Sequence, residues 1–413
     1  SPMREPPEEV GQYDLSGLML RIEHAIDITG AKRVVLDTVG NLFITYQDKG
    51  AVRKLLYEVM DGLKKLGVTA IISSEQPEGA PDLSRYGVEE FVADGIAVLS
   101  QEVYQQSVMR NVIIRKLRGV GYHAGLVPFL ITKDGIRMYP EFEFSLTFPS
   151  SKERVSTGVA GLDEMTHGGV FRGSITLVAG ATGTGKTITS LQFLRSGLES
   201  GESCLFVCFE ESKDQLYDLA DGFGWDLRQY EKSGKLVFFS AYPTRSNYRE
   251  SLYEITDIIR ERSITRLALD SVSALADVLD GDTFSRFAKE LMQVLRQNSI
   301  TTYLTTSSPT LLETSRISDT NASTLTDNII FLKYVEAKGN LSKVLGVLKT
   351  RKSKHDTALR LYTINGEQGI AVGKTLEGFE GILSGQARQT VLPKGMEELH
   401  ELSNLGKLGK KNK

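Results

Sequence analysis

The sequence predicts an α/β protein with a parallel-sheet core, present in two tandem copies. Three observations lead there. In the second half, apolar strand-like runs alternate with helical patterns. One glycine-rich loop, "GATGTGKT" (180–187), sits between such a strand and such a helix. Similar segments also recur along the chain at one fixed offset.

Taken in order, the strand-like runs are "SITLVAG" (174–180), "SCLFVCFE" (203–210), "KLVFFSA" (235–241), "RLALDS" (266–271) and "TTYLTT" (301–306). They are nearly continuous apolar stretches, as in strands buried on both faces of a parallel sheet. Between them lie "TITSLQFLRSGLES" (187–200) and "YRESLYEITDIIRERS" (248–263), patterned as helices. Cys204 and Cys208 fall on one face of a strand, which suits two buried thiols in a reducing compartment, hence a cytoplasmic location.

The offset is 233. It separates Asp37 from Asp270, Asp94 from Asp327, Lys116 from Lys349 and Arg118 from Arg351. A counterpart of Lys186 at that offset falls at position −47, before Ser1. The expected organisation is therefore a first copy over 1–147, incomplete and without its phosphate loop, then a complete second copy over 148–388 and a tail over 389–413. The polar "FPSSKERVS" (148–156) reads as the linker.

The loop matches G-x-x-x-x-G-K-[ST] completely. Glycines let successive backbone N–H groups turn toward phosphates, and the following helix N-terminus adds positive potential. Thr182, Gly183, Thr184 and Gly185 form the cradle; Lys186 reaches the β- and γ-phosphates, and Thr187 offers its hydroxyl to Mg²⁺. ATP and Mg²⁺ are thus the expected cofactors. Asp270 closes an apolar strand, where a carboxylate suits a Mg²⁺ ligand. In "CFEES" (208–212), Glu210 and Glu211 read either as an acidic turn or as carboxylates that activate a nucleophile. Each copy follows a strand with Lys-x-Arg: Lys116, Leu117, Arg118, and Lys349, Thr350, Arg351. These cations read either as solvated edge charges or as groups reaching a neighbour's γ-phosphate.

Together, "VSTGVAGLDEMTHGGVFRGSITLVAGATGTGKT", "CFEES", "ALDSVSALA" and "SDTNASTLTDNIIFLKYVE" resemble the KaiC family, over essentially the whole chain. The resemblance implies tandem RecA-like domains in a double-ringed hexamer, with ATP at subunit interfaces. It implies ATPase and serine/threonine autokinase activity, with possible autophosphatase activity. One of Glu210 and Glu211 would activate the nucleophile, and Glu210 would also serve the metal. Lys349, Thr350 and Arg351, with Ser353 and His355, would reach the neighbour's nucleotide; Phe223 would lie near the base. Lys116, Leu117 and Arg118 would do the same in the first ring. Ser323 and Thr324 match the phosphorylated pair, and Ser318 a third nearby hydroxyl. Regulators like KaiA and KaiB are the implied partners, although the tail after residue 392 departs from the family's activator-binding segment.

The repeat bears on the acceptors. At the same offset Ser323 and Thr324 correspond to Glu90 and Phe91, and Ser318 to Arg85. Only the second copy therefore carries hydroxyls there, as expected of an ATPase-only first domain and a kinase-competent second one. Two other functions share this core: a signalling ATPase without autokinase activity, and a RecA/DnaB-like DNA motor. A net charge of −3 gives a large nucleic-acid footprint no support. Apolar runs are too short to cross a bilayer. The five histidines are scattered, with no zinc pattern. The basic "GKLGKKNK" end reads as a solvated tail.

Overall fold

The structure, a computed structural model, describes residues 15–38, 49–75, 92–104, 107–140, 148, 150–241, 248–307, 326–337, 340–377, 379–380 and 388–389. The chain divides into two compact units, Ser1–Pro140 and Glu141–Lys413.

In the first unit, α1 (Leu15–Thr29), β1 (Arg33–Leu36), α2 (Lys49–Lys65) and β2 (Thr69–Ile72) form a helix–strand alternation with β1 and β2 paired in parallel. An antiparallel sheet follows: β3 (Gly95–Tyr104), β4 (Ser107–Leu117), β5 (Val127–Thr132) and β6 (Gly135–Met138). Val52 and Leu56 of α2 pack with Leu36 and Ile72.

The second unit opens with β7 (Arg154–Val155), α3 (Ala160–Met165) and β8 (Val170–Phe171). Polar residues 150–156 pack onto this unit: β7 pairs with β8, and Glu153 grips Arg172 through two hydrogen bonds of 2.7 and 2.8 Å. The core alternation follows as β9 (Ile175–Gly180), α4 (Lys186–Glu199), β10 (Cys204–Cys208), α5 (Lys213–Asp221), α6 (Arg228–Lys232) and β11 (Leu236–Ser240). It continues through α7 (Tyr248–Glu261), β12 (Arg266–Asp270), α8 (Val272–Val278), α9 (Gly281–Gln297) and β13 (Thr301–Thr306). Four more strands close it: β14 (Asn328–Ala337), β15 (Asn340–Thr350), β16 (Arg360–Asn365) and β17 (Gly369–Thr375).

All nine strands from β9 to β17 make one sheet, ordered β11-β10-β12-β13-β9-β14-β15-β16-β17. The strands through β14 pair in parallel and the last three add antiparallel. Alternate side chains of a strand face opposite sides. Cys204, Phe206, Ala268 and Tyr303 accordingly meet α4, while Leu205, Val207, Leu267 and Leu304 meet α7, α8 and α9. Burial on both faces requires the continuous apolar strands seen in the sequence. It also pushes the Cys204 thiol up to about 12.

The repeat is visible in the register. Ile96 opposes Lys116 and Ile329 opposes Lys349, and both ladders slip at the next residue, between Ile96/Ala97 and Ile329/Ile330. Arg118 N–H donates to Asp94 O at 2.9 Å, and Arg351 N–H to Asp327 O at 2.8 Å. The correspondence drops by one residue at β2: Arg33 pairs with Thr69, and Arg266 with Thr301. With that shift, the Ser73 hydroxyl on Asp37 matches the Thr305 hydroxyl on Asp270. Val35 and Ile71 are exposed, whereas their counterparts Ala268 and Tyr303 are buried against α4. Among its described residues, the first unit has no counterpart of β9, the loop and α4.

Arg266, at the start of β12, is the largest fully buried side chain among the described residues. Its guanidinium donates to Ser156 O, Phe193 O and Glu202 Oε1 at 2.9–3.0 Å. Burial pushes the Glu202 carboxyl up, but hydrogen bonding and charge from Arg266 outweigh it and hold the group below its usual value. Replacing Arg266 with Met leaves that carboxylate with the Thr265 hydroxyl at 3.0 Å and Arg172 at 3.5 Å, and denaturant melts are expected to show a loss of about 3 kcal/mol. A carboxyl held low stabilises the fold at pH above its unfolded value near 4.5, and that contribution disappears as pH falls below it.

Candidate phosphate and nucleotide site

β9 ends at Gly180, and the chain turns through Ala181–Gly185 into α4. Gly183 and Gly185 adopt φ of 81° and 95°, the left-handed region that favours glycine. A Cβ on Gly180 would stand 2.6 Å from Leu332 O, and one on Gly185 would stand 2.9 Å from Ile364 Cδ1. The loop is thus pressed against β14 and β16. Ala181 O accepts the Thr184 hydroxyl at 2.7 Å and Lys186 Nζ at 3.2 Å. Replacing Gly185 with Ala adds both strain and a clash, and nucleotide binding measured by titration is expected to fall more than tenfold.

The carboxylates reach this edge because β10 and β12 run parallel to β9 and end level with it. Cys208 pairs with Asp270, and Thr305, one residue along β13 from Leu304, opposes Val178. Asp270 is buried, and one of its oxygens accepts the Thr305 hydroxyl. Just past β10, Glu211 N–H donates to Cys208 Sγ at 3.2 Å, and Ser212 opens α5 with a capping box to Gln215. "CFEES" is therefore a strand end, two projecting carboxylates and a helix cap. Ser271, the N-cap of α8, donates its hydroxyl to Glu210 Oε1 at 2.8 Å.

Electrostatics ties the groups together. Burial lowers the Lys186 ammonium from its ordinary value, while Asp270 and Glu210 pull it back up. The Glu211 carboxyl is raised by burial and by the charges of Asp270 and Glu210. A magnesium–nucleotide complex fits this donor set. Mg²⁺ takes one or two carboxylates and fills its remaining positions with phosphate oxygens and water. Asp270, Glu210 and the Thr187 hydroxyl are hard oxygen donors around a phosphate loop. No cluster of three or more His, Cys, Asp or Glu residues able to hold a metal alone occurs among the described residues.

The Lys-x-Arg residues of the second unit lie elsewhere. Thr350 pairs with Asn328, which pairs with Thr176, so Lys349–His355 stands level with the start of β9 rather than its end. Four residues of strand, roughly 13 Å, separate that level from Gly180. There Lys349 Nζ donates to Thr326 O at 2.8 Å, and the Arg351 guanidinium lies 3.9 Å from Asp327. The Thr350 hydroxyl donates to Ser353 O at 2.8 Å and sits 2.9 Å from His355 Nδ1. Phe223 stacks on Trp225 with ring centres 4.8 Å apart. In the first unit, Lys116 and Leu117 end β4, and Arg118 meets Asp94 at 3.3 Å. Ser318, Ser323 and Thr324 lie outside the described residues.

Sequence reasoning missed three hydroxyl-bearing residues here. Ser271 holds Glu210, while Tyr334 and Tyr362 contact the P-loop. Ser271 was findable as a helix cap directly after Asp270. The tyrosines carried no local signal, because an aromatic on a half-buried strand reads as packing.

Comparison with known proteins points to one family. The family model "ATPase: KaiC" matches residues 1–143 and 155–377. The chain is 40% identical over 396 residues to the circadian clock protein KaiC3 of Synechocystis sp., covering 96% of this chain and 77% of that protein. It is 37% identical over 405 residues to the circadian clock oscillator protein KaiC of Parathermosynechococcus lividus, covering 98% of this chain and 74% of that one. With its RecA-like P-loop core, the chain belongs to the KaiC ATPase family.

Proposed function

We propose that this chain is an ATPase and serine/threonine autokinase that phosphorylates Ser323 and Thr324 across subunit interfaces. The observation that carries this reading is the separation of Lys349 and Arg351 from the chain's own P-loop by the length of β9. Cations at that edge serve a nucleotide held by a neighbour. The segment bearing Ser323 and Thr324 ends at Thr326 and Asp327, and these are tied to Lys349 and Arg351. Thr326 and Asp327, which follow the acceptor pair closely in sequence, and the two cations thus belong to one edge, which in this proposal faces a neighbour's P-loop in a ring such as a homo-hexamer.

In the transfer, the acceptor Oγ attacks the γ-phosphorus and the bond to the β–γ bridging oxygen breaks. ADP leaves and the hydroxyl proton passes to Glu210, which Ser271 orients. Lys186, with Lys349 and Arg351 of the neighbouring copy, neutralises the phosphoryl oxygens. Thr187, Asp270 and Glu210 would hold Mg²⁺, which would supply further neutralisation of the phosphate charge. A circadian-clock role follows the names of the relatives, and the proposal adds KaiA- and KaiB-like regulators and a cytoplasmic location. No helix among the described residues is long and apolar enough to cross a membrane.

Incubation with Mg-ATP, followed by intact-mass measurement and peptide mapping, tests the proposal. Phosphate is expected on Ser323 and Thr324, and the S323A/T324A protein should hydrolyse ATP yet gain none there. Wild-type protein that hydrolyses ATP and stays unmodified would instead be a signalling ATPase.

A further inference from the structure

We infer that Tyr334 and Tyr362 are positioning residues for the phosphates of ATP, acting through the P-loop backbone. The Tyr334 hydroxyl donates to Gly183 O and the Tyr362 hydroxyl to Thr184 O, each at 2.6 Å. The two phenols come from different strands but from one cross-strand row: Tyr334 of β14 opposes Lys343 of β15, which opposes Tyr362 of β16. The Lys343 ammonium lies 5.8 Å from the centre of the Tyr334 ring. A single register thus delivers two hydroxyls to two consecutive loop carbonyls.

The consequence follows from peptide geometry. In a trans peptide the C=O and the next N–H lie in one plane and point in opposite directions. Holding Thr184 O against Tyr362 directs the Gly185 N–H away from β16. Holding Gly183 O against Tyr334 directs the Thr184 N–H the other way, where it meets Ala181 O at 3.3 Å and closes the turn. Backbone N–H groups are the phosphate ligands of such a loop, so the Tyr362 contact orients the Gly185 donor and the Tyr334 contact holds the turn closed before nucleotide arrives. Glycine at 183 leaves space for this contact, since a Cβ there would lie 2.9 Å from the Tyr334 hydroxyl oxygen. Thr184 and Tyr362 are both buried, and burial raises the Tyr362 phenol above its usual value.

This inference rests on the P-loop's being the ATP site, and the experiment separates the two. Equilibrium titration with MgADP and steady-state ATP hydrolysis are measured on the full chain for wild type, Y334F, Y362F, the double variant and K186A. Each Phe variant is expected to weaken MgADP about 3–10-fold and the pair about 10–100-fold. KM for ATP should rise in step while kcat at saturation holds. Nucleotide-free melting temperature of Y334F should match wild type, so that variant decides the matter even where Y362F folds poorly. Unchanged MgADP affinity and KM in Y334F, with binding lost in K186A, overturns the positioning role alone. A lowered melting temperature and kcat with unchanged KM also overturns it, as a purely structural contact. Wild-type binding in K186A overturns the P-loop reading and this inference together.

Discussion

Lys186→Ala is expected to lower ATP turnover by about 10²–10³-fold and to weaken MgATP binding at least as severely. Lys186 is the cation that faces Asp270 and Glu210 at the loop, and both carboxylates raise its proton affinity against the effect of burial. Its removal deletes a donor to the phosphates and leaves two acidic groups facing a polyanion. The defect should be specific to the ligand. Among the described residues, Lys186 Nζ donates to Ala181 O, at 3.2 Å. Losing one such contact costs about 1 kcal/mol, so thermal melts without nucleotide should nearly coincide with wild type. Added MgATP should then raise the melting temperature of wild type and not of the variant.

Glu210→Gln is expected to reduce both hydrolysis and self-phosphorylation by about 10²–10⁴-fold, with a smaller loss of MgATP affinity, about 3–10-fold, from the carboxylate charge removed beside the metal. The substitution keeps the shape of the side chain and the contact with Ser271, but removes the group that accepts a proton. Glu211 is the natural comparison, since its carboxyl is raised by burial and by Asp270 and Glu210. A larger loss in Glu211→Gln than in Glu210→Gln, by single-turnover kinetics, would exchange their roles. Ser271→Ala probes the same assignment from behind. It frees Glu210 Oε1 from its 2.8 Å hydrogen bond, and a roughly tenfold loss of rate is expected without loss of nucleotide affinity.

Much of the second unit is legible in the sequence because its strands are buried on both faces. "SITLVAG", "RLALDS" and "TTYLTT" become β9, β12 and β13 to within a residue at either end. The Gly and Lys of the loop, and Asp270 at a strand end, are local signals and lie where their spacing places them. The antiparallel strands are harder to read. Tyr334 and Tyr362 resemble half-buried packing residues, and only the register of β14, β15 and β16 brings them to the loop. Arg266 misleads in the other direction: a charged residue opening a strand reads as surface, yet it is buried and paired with Glu202. The constant offset of 233 conceals a compensated one-residue shift around β2, visible only in strand pairing.

Transfer between subunits has a direct test by mixing two complementary variants. K186A keeps its acceptor hydroxyls but lacks a working phosphate loop. S323A/T324A keeps the loop but offers no acceptors. The two are co-assembled, supplied with Mg-ATP and analysed by mass spectrometry that distinguishes the chains. Phosphate is expected on Ser323 and Thr324 of the K186A chain, which cannot place it there itself. If that chain stays unmodified in mixed assemblies while wild type is phosphorylated alongside, transfer occurs within a chain and the interface assignment of Lys349 and Arg351 is wrong.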